Sequence, residues 1–217
     1  MDNIIGTFHE GGVFMYLILG ISLFGIGLTI NKSYLYWIKY RISEEELTKA
    51  IVKQVEANNY SRAIQYCNGR VHPLTTILKS GLIRANKAEK DIRRAIEVTA
   101  SEVIPKFRRG VPALPHLSNI STMLGLLGTI RGLIIAFAGM AGGDAVKRQD
   151  ALSTGIALAF SATFFALAVA VSLVFFYVIL NSKQNKMMAK MEHATNTIVD
   201  AIVEKNKKLA AQQQRAS

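Results

Sequence analysis

Three apolar stretches, each about 20 residues or longer, constrain this chain more than anything else in it, because that is the length a helix needs to cross a bilayer. The first, Gly11 to Ile30, carries no charge. The second, Leu117 to Gly139, carries only Arg131, and the third, Ala151 to Leu180, carries none. Half of the 217 residues are hydrophobic, which alone would fit a soluble domain; their collection into three blocks does not. An all-α membrane protein with three transmembrane helices follows. A cleaved signal peptide would need a basic start and a shorter apolar core. The first block instead has Asp2 and Glu10 ahead of it, and Lys32, Trp37 and Lys39 behind it.

The net charge of +11 would suggest nucleic acid in a soluble protein, but its distribution points to a membrane. Residues 31–116 hold 16 Lys and Arg against 8 Asp and Glu, and residues 181–217 hold 7 against 3. Residues 1–11 contain no cation, and 141–154 are balanced. Positive segments stay in the cytoplasm. The expected layout is a periplasmic N-terminus (1–10), a first span (11–30), a cytoplasmic helical region (31–116), a second span (117–140), a short periplasmic loop (141–150), a third span (151–180) and a cytoplasmic tail (181–217). The membrane is expected to be the bacterial inner membrane.

The cytoplasmic part reads as helices over 44–56, 60–68, 73–86 and 88–109, punctuated by Gly69, Pro73 and Gly81. Ser43 with Glu46 three residues later fits a capping box. In the tail, Met187, Met191, Ala194, Ile198 and Ala201 or Ile202 recur at helical spacing, so the third helix should continue past the membrane. Lys205 to Ser217 is polar and reads as a frayed end. Cys67, the one cysteine, reads as a small buried side chain.

The second and third blocks differ from the first in their small residues. Ser118, Ser121, Gly125, Thr129, Gly132, Ala136 and Gly139 fall at steps of three and four, as do Ala159, Thr163, Ala166 and Ala170. Each set shares a helix face where another helix can come close. The bland reading is tight packing, with Thr129 and Thr163 bonding their own backbone carbonyls. The alternative is a shared surface facing a central helix from another chain. Arg131 is costly at membrane depth; it sits about 200° from Thr129 and is assigned to a neighbouring subunit or to lipid. No Asp or Glu lies within any block, so a proton path here would need a titratable group from a partner. His9, His72, His116 and His193 are scattered without metal spacing. Gly125-Leu126-Leu127-Gly128-Thr129 lacks the Lys and the strand of a phosphate loop. No cofactor, metal or catalytic cluster is expected, and an enzyme is disfavoured.

Residues 102–137, EVIPKFRRGVPALPHLSNISTMLGLLGTIRGLIIAF, resemble the signature region of the MotA/TolQ/ExbB proton-channel family. The most specific part is Leu124 to Ile130, with Gly132 and Ala136-Phe137 following. Residues 155–163, GIALAFSAT, look like the start of that family's third helix, and the resemblance covers about residues 60 to 180. It implies a ring of five copies around two copies of a single-span partner of the ExbD, TolR or MotB kind, whose membrane Asp accepts the ion. It matches Thr129 and Thr163 to the family's pore-facing threonines. Ser121, Gly125, Gly132, Ala159 and Ala166, on the same two stripes, complete the expected ion path. Three positions depart from the pattern: Leu158 stands where TolQ and ExbB proteins usually carry Glu, Thr122 where many members have Pro, and Arg131 where Trp is common. The chain is shorter than the four-span flagellar MotA proteins. The implied function is an ion-driven motor subunit, proton or sodium, energising transport, motility or gliding. The competing reading is a non-conducting scaffold that binds partner transmembrane helices.

Overall fold

The computed structural model describes residues 12–40, 43–69, 72–141 and 144–216, all helix, turn or coil with no strand among them. The acidic lead-in, residues 1–10, lies outside the described residues. The helices are α1 (Gly12–Tyr34), a π-helical turn (Leu35–Lys39), α2 (Glu44–Glu56), α3 (Tyr60–Asn68), α4 (Pro73–Leu82), α5 (Glu89–Arg108), α6 (Ala113–Gly139) and α7 (Ala145–Ala216). Among the described residues, three helical stretches are long and apolar enough to cross a membrane: Val13–Lys39, Glu89–Gly139 and Ala145–Leu209. The protein is an all-α, multi-pass membrane protein. Two compact units divide it, one from residues 1–33 and 110–181, the other from 34–109 and 182–217.

The first unit contains α1, α6 and the first half of α7. Its large apolar side chains mostly point outward: Leu23, Phe24, Leu126, Ile134, Phe164 and Val171 are all more than half exposed. In water such a surface would aggregate, whereas lipid accepts it. Between α6 and α7 the interior is made of small residues, with Met15, Ile18, Leu114, Leu173 and Leu180 among the larger buried side chains of the unit. Gly25 of α1 seats the Leu173 side chain where a Cβ would stand. Gly110, ahead of α6, has φ +96°, a left-handed turn open to glycine, and a Cβ there would lie 3.1 Å from the Lys32 Cε.

The second unit is a helical bundle closed by the second half of α7. Ser43 accepts the Glu46 N–H at 3.4 Å, as the capping pattern requires. Asn59 does the same for Arg62 at 3.3 Å. Gly81 lies inside α4 instead of breaking it: a Cβ there would come 2.7 Å from Ile96 Cδ1, so this glycine sets how close α5 can pack. Helix α4 then ends at Leu82, short of the expected residue 86, in turns closed by Arg84 to Gly81 and Ala85 to Leu82. Met187, Met191, Ala194, Ile198 and Ile202 are buried along α7, so Ile202 and not Ala201 completes the stripe. The polar end is helical to Ala216, not frayed from Lys205. Lys205 Nζ donates to Glu56 O at 2.8 Å and Asn206 Nδ2 to Ala85 O at 2.7 Å, which satisfies loose carbonyls at the ends of the bundle's helices. Arg93 reaches Asp200 at 3.3 Å. A buried chain of polar groups also closes the bundle: Gln184 Nε2 donates to Tyr36 Oη at 2.8 Å, and Tyr36 donates to Phe107 O at 3.1 Å. Cys67 is buried, and burial pushes its thiol up to about 11, so it stays protonated and inert.

His72 caps α4 through Nδ1, which accepts the Leu74 N–H at 3.1 Å, and its Nε2 is buried without a partner. An accepting Nδ1 must be unprotonated, and burial lowers the pKa to about 4 from 6.5. The folded value lies below the unfolded one. The linked stability is therefore complete above pH 6.5 and is lost as pH falls through 4, up to about 3 kcal/mol. Thermal unfolding in detergent should show the melting temperature dropping from pH 6.5 to pH 4.5. His72→Asn, which keeps a capping oxygen, should flatten that slope; an unchanged slope would assign the effect to other groups.

Candidate functional site: a close-packed seam between two spanning helices

Helices α6 and α7 run antiparallel and touch through their small residues. The pairing reads in opposite chain order: Gly125 against Ala166, Gly128 against Ala162, Gly132 against Ala159, Ala136 against Gly155 and Gly139 against Ala151. A Cβ added at Gly128 would stand 2.7 Å from that of Ala162, and one at Gly132 2.8 Å from that of Ala159. At Gly132 it would also stand 2.8 Å from Ala159 N and Gly155 O, two ends of one helical hydrogen bond. Backbone thus lies on backbone, which only glycine permits.

Hydroxyls stitch the seam. Ser118 Oγ donates to Ala170 O at 3.0 Å and Ser121 Oγ to Ala166 O at 3.1 Å, both buried. Thr163 Oγ1 donates back to Gly125 O at 3.4 Å. With no water in the hydrocarbon, such bonds are a main source of helix–helix attachment, about 1 kcal/mol each. Thr129 Oγ1 turns to Leu126 O of its own helix at 2.7 Å.

The expected ion-path residues therefore fall into two groups. Ser121, Gly125, Gly132, Ala159 and Ala166 are buried in the seam. These five pack between α6 and α7 of the one chain, as the tight-packing reading of the stripe expects. Thr129 and Thr163 are half-buried at its margin. Each follows a seam residue, Gly125 or Ala159, by four positions, about 40° round its helix. In antiparallel helices equal offsets lead to the same edge, so both threonines share one edge, within about a turn of each other along the axis. Leu126, Leu133, Phe160 and Leu167 lie further round on that side and are exposed. Arg131 and Leu158 each precede a seam residue, Gly132 or Ala159, by one position, about 100° the other way. They sit on the opposite edge, Arg131 exposed and Leu158 half-buried. The structure brings the threonines together and keeps Arg131 and Leu158 apart from them. Gly128, in the centre of the seam, was absent from the expected stripe: steps of three and of four both leave Gly125, and the step of four leads to Thr129.

Each threonine directs its one proton at a carbonyl, which leaves lone pairs to accept from a donor on the open edge. Neither spanning helix supplies an acid there, and among the described residues no group of His, Cys, Asp and Glu could hold a metal ion.

The structure defines a multi-pass helical membrane protein whose second and third spans form a glycine-packed hairpin. The profile of the MotA/TolQ/ExbB proton channel family matches residues 70–193, more than half the chain and the whole of this hairpin, and the chain belongs to that family. It is 24% identical to the ExbB-like 3 protein of Synechocystis sp. over 87% of this chain and 90% of that protein. It is 25% identical to an ExbB homolog of Methanothermobacter thermautotrophicus over 88% and 68% of the respective chains. It is 31% identical to the biopolymer transport protein exbB1 of Vibrio cholerae over 54% of this chain and 52% of that one. The family is one of channels, and the chain is a channel-type subunit of an energising system.

Proposed function

We propose that this chain is the ring-forming subunit of an ion-driven motor. Five copies surround two copies of a single-span partner of the ExbD type, and the partner's membrane carboxylate sits against the Thr129–Thr163 edge. The observation that carries this reading is an apolar edge bearing two hydroxyls, on two spans (117–140 and 151–180) with no acid of their own. A protonated carboxyl could donate to the lone pairs of either threonine; once ionised, it would need water or a rotated hydroxyl. Alternation between those states at a low-dielectric edge is the elementary step of proton transfer. The N-terminus lies outside, the larger basic segments lie in the cytoplasm, and the membrane is the bacterial inner membrane. The driven process is transport of a biopolymer kind, by likeness to the relatives, or motility.

A non-conducting scaffold is the second reading, favoured by Leu158 at the family's Glu position and by the Thr129 hydroxyl being satisfied within its own helix. Proton flux from liposomes containing the chain and its partner separates them. Conduction that vanishes when the partner's Asp becomes Asn supports the motor; equal, background-level flux from both supports the scaffold. Native mass spectrometry in mild detergent should find a five-subunit ring that takes up two partner chains, and a monomer indifferent to the partner would refute the assembly.

A further inference from the structure

Just past the two apolar blocks that end at Ile30 and Leu180, the second unit contains a cavity of about 550 Å³, lined by Tyr36, Trp37, Tyr40 and Glu44 on one side and Lys183, Lys186, Met187 and Lys190 on the other. We propose that this cavity binds the phosphate headgroup of an anionic phospholipid.

Position comes first. Lys183 and Lys186 are three and six residues beyond Leu180, and Trp37 seven beyond Ile30, so at helical rise they stand about 5 to 10 Å past the apolar blocks. That is the depth of a bilayer's headgroup layer, about 5 to 8 Å on each side of the hydrocarbon. Tryptophan, tyrosine and lysine are the residues that settle there.

Charge comes second. The one carboxylate of the lining, Glu44, is buried and already faces Lys190, with Oε2 3.7 Å from Nζ. Lys183 and Lys186 have no acidic partner among the described residues. The lining therefore keeps two uncompensated ammonium groups, each able to donate to a phosphate oxygen. Lys183 Nζ is held 5.7 Å above the Trp37 ring, which limits its freedom without neutralising it. Tyr34 and Ile38 are exposed beside Trp37, which suits acyl chains leaving the headgroup. The cavity is of the size that takes a small-molecule headgroup, and its walls come from two chain segments about 150 residues apart. A bound lipid would bridge them without taking part in ion passage, so the inference stands independently of the motor reading.

The chain's only tryptophan lines the cavity, so its fluorescence reads occupancy. The full chain in a neutral detergent is titrated with dioctanoyl phosphatidylglycerol, with the phosphatidylcholine analogue and with inorganic phosphate. The expected result is a saturable change with phosphatidylglycerol at a midpoint at least tenfold below that for phosphatidylcholine, and none with phosphate at the same concentration. The double variant Lys183→Gln/Lys186→Gln should raise the phosphatidylglycerol midpoint about thirtyfold, the effect of removing two near-surface lysines. The Lys→Arg double variant should stay close to wild type. Equal midpoints for the two lipids overturn the proposal, as does a folded Lys→Gln variant with wild-type binding. Phosphate that reproduces the signal assigns the site to a soluble anion and overturns the lipid. Should the Lys→Gln variant misfold by circular dichroism, the wild-type comparison of the two lipids decides alone.

Discussion

Gly132→Val should strongly destabilise the membrane hairpin, while Gly27→Ala in the first spanning helix should leave it intact. At Gly132 a new Cβ meets Ala159 N and Gly155 O, both at 2.8 Å. Neither atom can rotate away, because both belong to the backbone of α7. The helices must separate, and with them go the bonds from Ser118, Ser121 and Thr163. Overpacking of this kind costs about 3 kcal/mol or more, enough to lower the melting temperature by roughly 10 °C in a chain of this size. At Gly27 nothing lies within 4 Å, so alanine there should be neutral or stabilising by about 0.5–1 kcal/mol. Thermal unfolding of both variants in one detergent checks the contrast. A Gly132→Val protein that melts with the wild type would mean that the seam is looser than its glycines require. Gly125→Ala should fall between them, since its obstacle is the Ala166 methyl and no backbone atom stands so near.

That contrast marks how far the residues could be read without coordinates. Apolar length, capping and the steps of small residues are local properties, so the three spans, the Ser43 cap and both stripes are visible in the chain itself. What a stripe faces is not local. Ser121 and Gly125 look equally suited to a foreign helix and to α7, and only the antiparallel pairing with Ala166 and Ala162 decides for α7. Gly128 escaped because 3.6 residues per turn lets a seam step by three or by four, and Thr129 offered the second. The Tyr36–Gln184–Phe107 network joins residues up to 148 positions apart and has no pattern at all until the helices are placed. The helical end beyond Lys205 depends on bonds to Glu56 and Ala85, invisible to a window that registers only polarity.

Thr163→Val should lower proton flux through the complex by about ten- to a hundredfold, and Thr163→Ser should retain most of it. Valine has nearly the shape of threonine, so the seam contact beside Gly125 survives and the hydroxyl alone is lost. Removing one partner of a buried hydrogen bond costs about 1–3 kcal/mol, and each 1.4 kcal/mol is a tenfold change in rate. Flux from liposomes containing the chain and its partner, compared with the amount of partner retained on purification, reads conduction and assembly separately. If flux and partner retention fall together, Thr163 is a docking contact and the scaffold reading gains. If flux alone falls, the hydroxyl acts on the ion. Thr129→Val should be the milder lesion, because that hydroxyl is satisfied at 2.7 Å by its own helix, whereas the Thr163 bond at 3.4 Å is long and easily exchanged for a carboxyl or a water. A ranking in the opposite order would place the ion nearer Thr129, which the pairing sets only about 2 Å away along the axis on the same edge.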